Sequence, residues 1–397
     1  MPHSRATTTP PRGPLNRALS GFTSTIFAEM SALAVATDSV NLGQGFPDFG
    51  GPPTMLERAR QAIADGVNQY PPGAGTPELR AAIAAHQHRF YGLDVDPEDE
   101  VLVTAGATEG IAATMLGLLE PGDEVVMLEP YYDSYAATVA LAGGVRRPVR
   151  LDPPDFTLPR ERLAAAIGPA TRLILLNSPH NPTGMVLSRD DVQYVADLAL
   201  RHDLIVVTDE VYEHLTFDAV NHVPISTLPG MWQRTLTISS AGKTFSATGW
   251  KVGWVCGPAE LVAAVRAAKQ FLTYVNGAPF QPAIAEALHL PNSYFDDLRA
   301  ALQGKRDVLM DGLSAAGFEV FRPSGTYFVV ADSRSVGFED GYQLCRELPQ
   351  LCGVVAVPMS VFYDNPDGAR HLVRFAFCKR DGVLREAVVR LRRLRQG

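Results

Sequence analysis

Cysteine is scarce in this chain. Four residues in 397 (Cys256, Cys345, Cys352 and Cys378) form no C-x-x-C pair and show no metal-ligand spacing. That excludes a disulfide framework and the common zinc modules, and it fits reduced thiols in a cytoplasmic setting. Long apolar runs are missing too, none approaching the ~20 residues of a membrane span. Nor is there an excess of positive charge. Lys and Arg number 35 against 43 Asp and Glu, a formal net charge of −8, which leaves no electrostatic footprint for nucleic acid. Residues 1–14, M-P-H-S-R-A-T-T-T-P-P-R-G-P, lack the apolar centre of a secretory signal and read as a disordered tail. No internal repeat follows.

What is present is an ordinary globular composition, 46% hydrophobic and 20% charged, long enough for about two to three domains. Residues 15–45 read as an arm with a short helix near Ile26 to Ala36. Thr54 is placed to cap a helix reaching Asp65, and Thr76 with Pro77 starts another. From Val101 onward, apolar runs at Val101–Val103, Glu124–Leu128, Val145–Val149, Arg172–Leu176, Leu204–Val207 and Leu236–Ile238 alternate with amphipathic segments. That alternation predicts an α/β fold, a mostly parallel sheet with helices on both faces, over residues 46–285. Residues 286–397 change character. A helix over Tyr294 to Ala316, strands at Phe318–Phe321, Thr326–Val330, Val354–Val357 and His371–Phe377, and a basic closing helix predict a smaller α+β domain, joined by the arm.

Parallel sheets bind ligands beyond the carboxyl ends of their strands, so the polar residues after each run carry the interest. The densest stretch is Ser239 to Trp254, S-S-A-G-K-T-F-S-A-T-G-W-K-V-G-W. Gly242-Lys243-Thr244 resembles the end of a P-loop, but Thr237 stands where that motif needs glycine and no amphipathic helix follows. A lysine able to form a Schiff base is the other reading, and a surface lysine the plain one. After Val103, Thr104-Ala105-Gly106-Ala107-Thr108 leads into a helix whose first amides suit a phosphate, or simply make a turn. After Leu128 come Tyr131, Tyr132 and Tyr135, rings that stack on a flat heterocycle or pack in a core. After Leu176, Asn181 sits in a loop stiffened by Pro179 and Pro182. After Val207, Asp209 is either a helix cap or a carboxylate that needs a cation, and Tyr212 follows it. No metal-ligand spacing accompanies Asp209. Each signal alone is weak. Together they compose a site for a phosphorylated aromatic aldehyde, pyridoxal 5'-phosphate.

The motifs N-L-G-Q-G-F-P-D (41–48), N-Q-Y (68–70), H-N-P-T-G (180–184), T-D-E-V-Y-E-H (208–214), the lysine stretch and H-L-V-R-F-A-F (371–377) resemble those of the fold-type I, class I pyridoxal-phosphate aminotransferases. The likeness runs over nearly the whole chain after residue 20. It points to the branch of kynurenine and glutamine transaminases and N-succinyldiaminopimelate aminotransferases. The resemblance implies an aspartate-aminotransferase-like large domain and transfer of an amino group from an L-amino acid to a 2-oxoacid such as 2-oxoglutarate. It implies that Lys243 binds the cofactor and moves protons, and that Asp209 faces the ring nitrogen. Tyr212 and Asn181 are then expected on the ring oxygen, Tyr132 on the ring face, and Ala107, Thr108, Ser240 and Lys251 on the phosphate. Arg374, with the Gly45 backbone and Asn181, is expected on the substrate carboxylate, and Phe27 and Tyr274 in the substrate pocket. Tyr70 is expected to reach the phosphate from the second subunit of a homodimer with shared sites.

Phe27 departs from the tryptophan of kynurenine transaminases, and Thr108 from an aromatic found in some relatives, which leaves the amino donor open. A kynurenine, glutamine or methionine transaminase with cysteine-conjugate β-lyase side activity is the alternative within this chemistry. A non-catalytic pyridoxal-binding regulatory module is the alternative outside it, disfavoured by the presence of both Lys243 and Arg374.

Overall fold

The computed structural model describes residues 16–22 and 25–395. The tail expected over residues 1–14 lies outside the described residues. After a helix at Ile26–Ala36, the short strand β1 (Val40–Asn41) opens the sheet structure. Seven strands follow: β2 (Val101–Thr104), β3 (Glu124–Glu129), β4 (Val145–Arg150), β5 (Thr171–Asn177), β6 (Ile205–Asp209), β7 (Thr235–Ser240) and β8 (Gly253–Cys256). They form one sheet in the order β2-β8-β7-β6-β5-β3-β4, in which β8 alone runs antiparallel to its neighbours. The rest of the chain adds β9 (Glu319–Phe321), β10 (Phe328–Asp332), β11 (Val354–Val355), β12 (Val357–Pro358) and β13 (Leu372–Ala376). Of these, β12-β13-β10-β9 make an antiparallel sheet, while β11 pairs in parallel with β1.

The near-continuous apolar run of β5 follows from burial on both faces. Val125, Met127, Leu173 and Leu175 enter the core on one face. Val126, Leu128, Ile174 and Leu176 enter the core on the other, as a side-chain period of two requires. Each such side chain contributes roughly 1.5–3 kcal/mol when fully buried. The second core continues without a break into Phe328, Val330, Val373 and Phe375 of the smaller sheet. Both sheets are thereby held around one crevice.

Three expectations change in detail. Thr54 does not cap its helix, which begins at Pro53 after Pro52, because proline at the first helical position needs no N–H partner. Lys251 to Cys256 reads as a strand in the sequence, but the strand starts at Gly253, since Lys251 itself adopts a left-handed φ of 52°. The run Val354–Val357 splits at Ala356 into β11 and β12, which join different sheets. Thr76 caps as expected, its hydroxyl accepting from the Leu79 amide at 3.3 Å. Among the described residues no helix is long and apolar enough to cross a membrane.

Candidate active site

Five parallel strands deliver polar residues to the crevice from their carboxyl ends. At one end of it, β2 turns through Gly106, with φ +73°, into the helix Gly106–Leu118. A Cβ on Gly253 would lie 2.6 Å from the Gly106 carbonyl carbon and 2.8 Å from the Ala107 nitrogen, so only glycine lets β8 come this close. A Cβ on Gly106 would meet Lys251 Nζ at 3.2 Å, which places that ammonium directly over the turn. Ala107 and Thr108 in the first helical turn, Ser240 at the end of β7 and Lys251 therefore line one electropositive recess. First-turn amides, helix dipole and ammonium all favour an anion there.

The centre belongs to Lys243, in the one-turn helix Ala241–Thr244 after β7. Its Nζ lies 5.6 Å from the Tyr212 ring centroid and 5.5 Å from that of Tyr327. Among the described residues no hydrogen-bond acceptor holds it. Burial pushes this amine down to about 8, with Arg374 and Lys251 acting in the same direction and Asp209 opposing. A substantial fraction is therefore neutral near pH 8. Asp209 ends β6, buried, its Oδ2 accepting from the Tyr135 hydroxyl at 2.6 Å and its Oδ1 from the Val211 amide at 3.2 Å. Burial holds its carboxyl above the usual range, although both hydrogen bonds and the Lys243 charge work against that.

Arg374 closes the far wall. It sits in β13, 1% exposed, with its guanidinium 4.0 Å from the Phe328 ring centroid and flanked by Phe362 and Phe27 at 5.1 and 5.3 Å. Nη1 donates to Asn181 Oδ1 at 3.0 Å and Nη2 to the Gly43 carbonyl at 3.2 Å, while buried Nε has no partner. Burial brings this group down to about 10, so it remains charged at neutral pH. Among the described residues no carboxylate pairs with it. A buried cation answered only by neutral oxygens and aromatic faces is incompletely compensated, and an anionic ligand completes it.

Twelve of the fourteen site residues expected from sequence line this one cavity of ≈ 270 Å³; Tyr70 and Tyr274 do not. Those two pack on each other, centroids 5.7 Å apart, with Tyr70 82% exposed. Gly45 lines the cavity, but the carbonyl that meets Arg374 is that of Gly43; the Gly45 carbonyl accepts from the Tyr327 hydroxyl at 2.5 Å. Sequence reasoning missed the roles of Tyr135, Tyr327 and Asn177. Asn177 Oδ1 accepts from the Asn181 amide at 2.7 Å, and its Nδ2 donates to the Asp209 carbonyl at 2.8 Å. It thereby fixes two site loops at once.

Away from the cavity, His86, Glu213 and His214 bring potential metal-ligating atoms within 4.8 Å of one another. The atoms that face one another are already engaged, although His86 Nδ1 has no partner among the described residues. The two Nε2 atoms meet at 2.8 Å, and the Glu213 carboxylate accepts from Tyr91 and Ser239, each at 2.6 Å. Burial pushes His86 down to about 3, leaving a neutral hydrogen-bonded network.

A family model described as aminotransferase class I and II matches residues 37–391. The chain is 54% identical over 380 residues to the probable N-succinyldiaminopimelate aminotransferase DapC of Mycobacterium tuberculosis, an alignment covering 93% of this chain and 96% of that one. It is 40% identical over 370 residues to the methionine aminotransferase of Escherichia coli, at 93% and 96% coverage. The solved structure of N-succinyldiaminopimelate aminotransferase from Mycobacterium tuberculosis superposes with a TM-score of 0.94, over 96% of this chain and 100% of that one.

Proposed function

Because the chain belongs to the class I and II aminotransferases, and so is a pyridoxal-phosphate-dependent transaminase, we propose that it moves the amino group of N-succinyldiaminopimelate to 2-oxoglutarate. One observation carries the chemistry: a softened amine, a buried carboxylate and an arginine with no carboxylate partner among the described residues face a single cavity. The donor rests on the 54% identity to the mycobacterial relative.

The residues present fit the cofactor. The glycine-lined recess under Lys251 is open to a phosphate, and the orphaned Nε of Arg374 awaits an anion at the opposite end. Ala107, Thr108, Ser240 and Lys251 would hold the phosphate, Tyr132 the ring face, Tyr212 and Asn181 the ring oxygen, and Asp209 the ring nitrogen. When bound, the cofactor supplies an electron sink that makes the amino acid Cα–H acidic. Lys243 would accept the Cα proton and later give it up again, a task suited to an amine held near 8. Arg374 and Asn181 hold the substrate carboxylate and aim the Cα–H bond at Lys243. In this reading residues 46–285 carry the cofactor, while 286–397 supply the Arg374 of the carboxylate grip and 15–45 the flanking Phe27. A cytoplasmic location fits the four buried free cysteines.

Arg374→Lys tests the grip. A lysine supplies a point charge where two parallel donors are needed. The expected result is a kcat/KM lower by about 10–100-fold for every donor, from a loss of roughly 1.5–3 kcal/mol. Both kcat and KM should change, since misorientation slows the proton transfer as well as weakening binding. Steady-state kinetics with unchanged kcat/KM would remove Arg374 from the site.

The working unit in this reading is a homodimer with shared sites. Tyr70 and Tyr274 stand outside their own cavity, and Phe271, three positions before Tyr274 in the chain, is 84% exposed; a second copy would cover these rings. Tyr70 is then the phosphate donor of the opposite subunit. Tyr70→Phe is expected to weaken cofactor binding by about tenfold or somewhat more. Mixing Tyr70→Phe with Lys243→Ala protein should regain activity, because hybrid dimers contain one intact site. No regain after verified subunit exchange assigns Tyr70 to its own chain.

A donor panel of N-succinyldiaminopimelate, methionine, kynurenine and glutamine with 2-oxoglutarate decides the substrate. The aromatic wall of Phe27, Phe328 and Phe362 and the 40% identity to a methionine aminotransferase favour methionine as the second reading. A kcat/KM highest for methionine overturns the first.

A further inference from the structure

Asp209 is held by a single side-chain donor. Among the described residues, the Tyr135 hydroxyl and the Val211 amide are the only hydrogen-bond partners of its carboxylate oxygens. Tyr135 is 3% exposed and lies in the first turn of the helix Asp133–Leu141, which follows β3. Its ring is braced edge-on by Tyr132, centroids 5.8 Å apart, so the hydroxyl has little freedom to leave. Four other ionisable groups act on this pair. Lys243 stabilises the carboxylate charge and neighbouring Glu210 opposes it, while Tyr132 and Tyr212 are phenols. Glu210 is itself engaged by His222 at 2.8 Å. Burial and the Asp209 charge hold the Tyr135 phenol well above its ordinary value, so it stays protonated and can only donate to an ionised partner.

We propose that Tyr135 is a positioning residue whose hydroxyl fixes both the orientation and the ionised form of the Asp209 carboxylate, and through it the protonation of the cofactor's ring nitrogen. This rests on the role given to Asp209 above. The physical need is plain. A buried carboxylate is driven toward its neutral form, and a neutral carboxyl that donates its own proton cannot hold the proton on a ring nitrogen. A phenol donating at 2.6 Å offsets that drive and fixes one oxygen, leaving the carboxylate a defined rotamer. In a run holding Tyr131, Tyr132 and Tyr135, these are two different jobs: Tyr132 lines the cavity, while Tyr135 also supports the acid behind it.

The test is an equilibrium titration of cofactor-free protein with pyridoxal 5'-phosphate across pH, read by cofactor absorbance. Affinity falls on the acid side as Asp209 takes up a proton. In Tyr135→Phe the midpoint of that fall should move up by about one to two pH units, the equivalent of one lost charge-assisted hydrogen bond. Its kcat should fall by about 10–100-fold with little change in KM. In an Asp209→Asn background the same substitution should add nothing. A second variant guards against misfolding: 3-fluorotyrosine at position 135, a stronger donor of nearly the same shape, should move the midpoint down. An unmoved midpoint in a folded Tyr135→Phe protein, or in the fluorotyrosine protein, overturns the proposal. If Asp209→Asn is inactive while Tyr135→Phe is silent, only this inference fails. If Asp209→Asn is itself near normal, the reading of Asp209 fails with it.

Discussion

Lys243→Ala protein is expected to fold, to bind pyridoxal 5'-phosphate without a covalent link, and to lose turnover by a factor on the order of 10⁴ or more. The loss is expected to be large because, in the proposed mechanism, one side chain both attaches the cofactor and moves the proton, and residues acting as a unit fail together. Nothing else in the cavity can replace it. Lys251 is committed to the recess over Gly106, and Arg374 is too basic to accept a proton near neutral pH. The same substitution should remove a pH dependence of stability from the cofactor-free protein. A lysine held at about 8 when folded and near 10.4 when unfolded binds more protons in the unfolded state between those values. Wild-type stability therefore rises with pH across that window, by at most about 3 kcal/mol, whereas the alanine variant lacks the rise. Borohydride reduction of the wild-type holoenzyme followed by peptide mapping checks the assignment. Cofactor found on Lys251 would falsify it.

Asp209→Asn should be nearly as damaging to catalysis while sparing the fold. The amide is isosteric and can keep the Val211 amide as donor, and its own N–H₂ can face the Tyr135 oxygen. What disappears is the negative charge, and with it the preference for a protonated ring nitrogen. A fall in kcat of about 10²–10⁴-fold is expected, in the range for losing a positioned acid–base partner. Much of the cofactor should remain bound, because the phosphate recess is untouched. An N-methylated cofactor analogue carries a permanent positive charge, so it should restore part of the lost rate in the variant. Near-normal turnover without the analogue means that Asp209 does not set the ring's charge.

Much of this was legible in the chain, and the exceptions share a cause. Strand ends announce themselves, because an apolar run that stops at Asp209 or at Asn181's loop marks where the sheet meets solvent or ligand. Lys243 was legible because small residues crowd it on both sides. Tyr135 was not, because nothing separates it from Tyr132 until the fold carries its hydroxyl to Asp209, 74 positions away. Tyr327 reads as one more aromatic entering a strand. Its link to Gly45 spans 282 residues and ends on a backbone carbonyl, a group that no residue type betrays. The Gly43 carbonyl that meets Arg374 is likewise a backbone group that no residue type betrays. The pairing of His86 with His214, 128 positions apart, has no local signature.

Arg374 stands mid-strand, opposite Val330 on one side and Val357 on the other. Its neighbours Val373 and Phe375 point into the core. Adding or losing one residue anywhere in β13 would exchange these faces, sending the guanidinium inward and an apolar side chain into the cavity. Length variation during descent is therefore shut out of this strand and confined to the loops at its ends. On the proposed reading, substrate range has room to drift through Phe27, which lies on a separate helix outside the β13 register. A lineage of such chains could then change what it accepts while the proposed carboxylate grip stays in place.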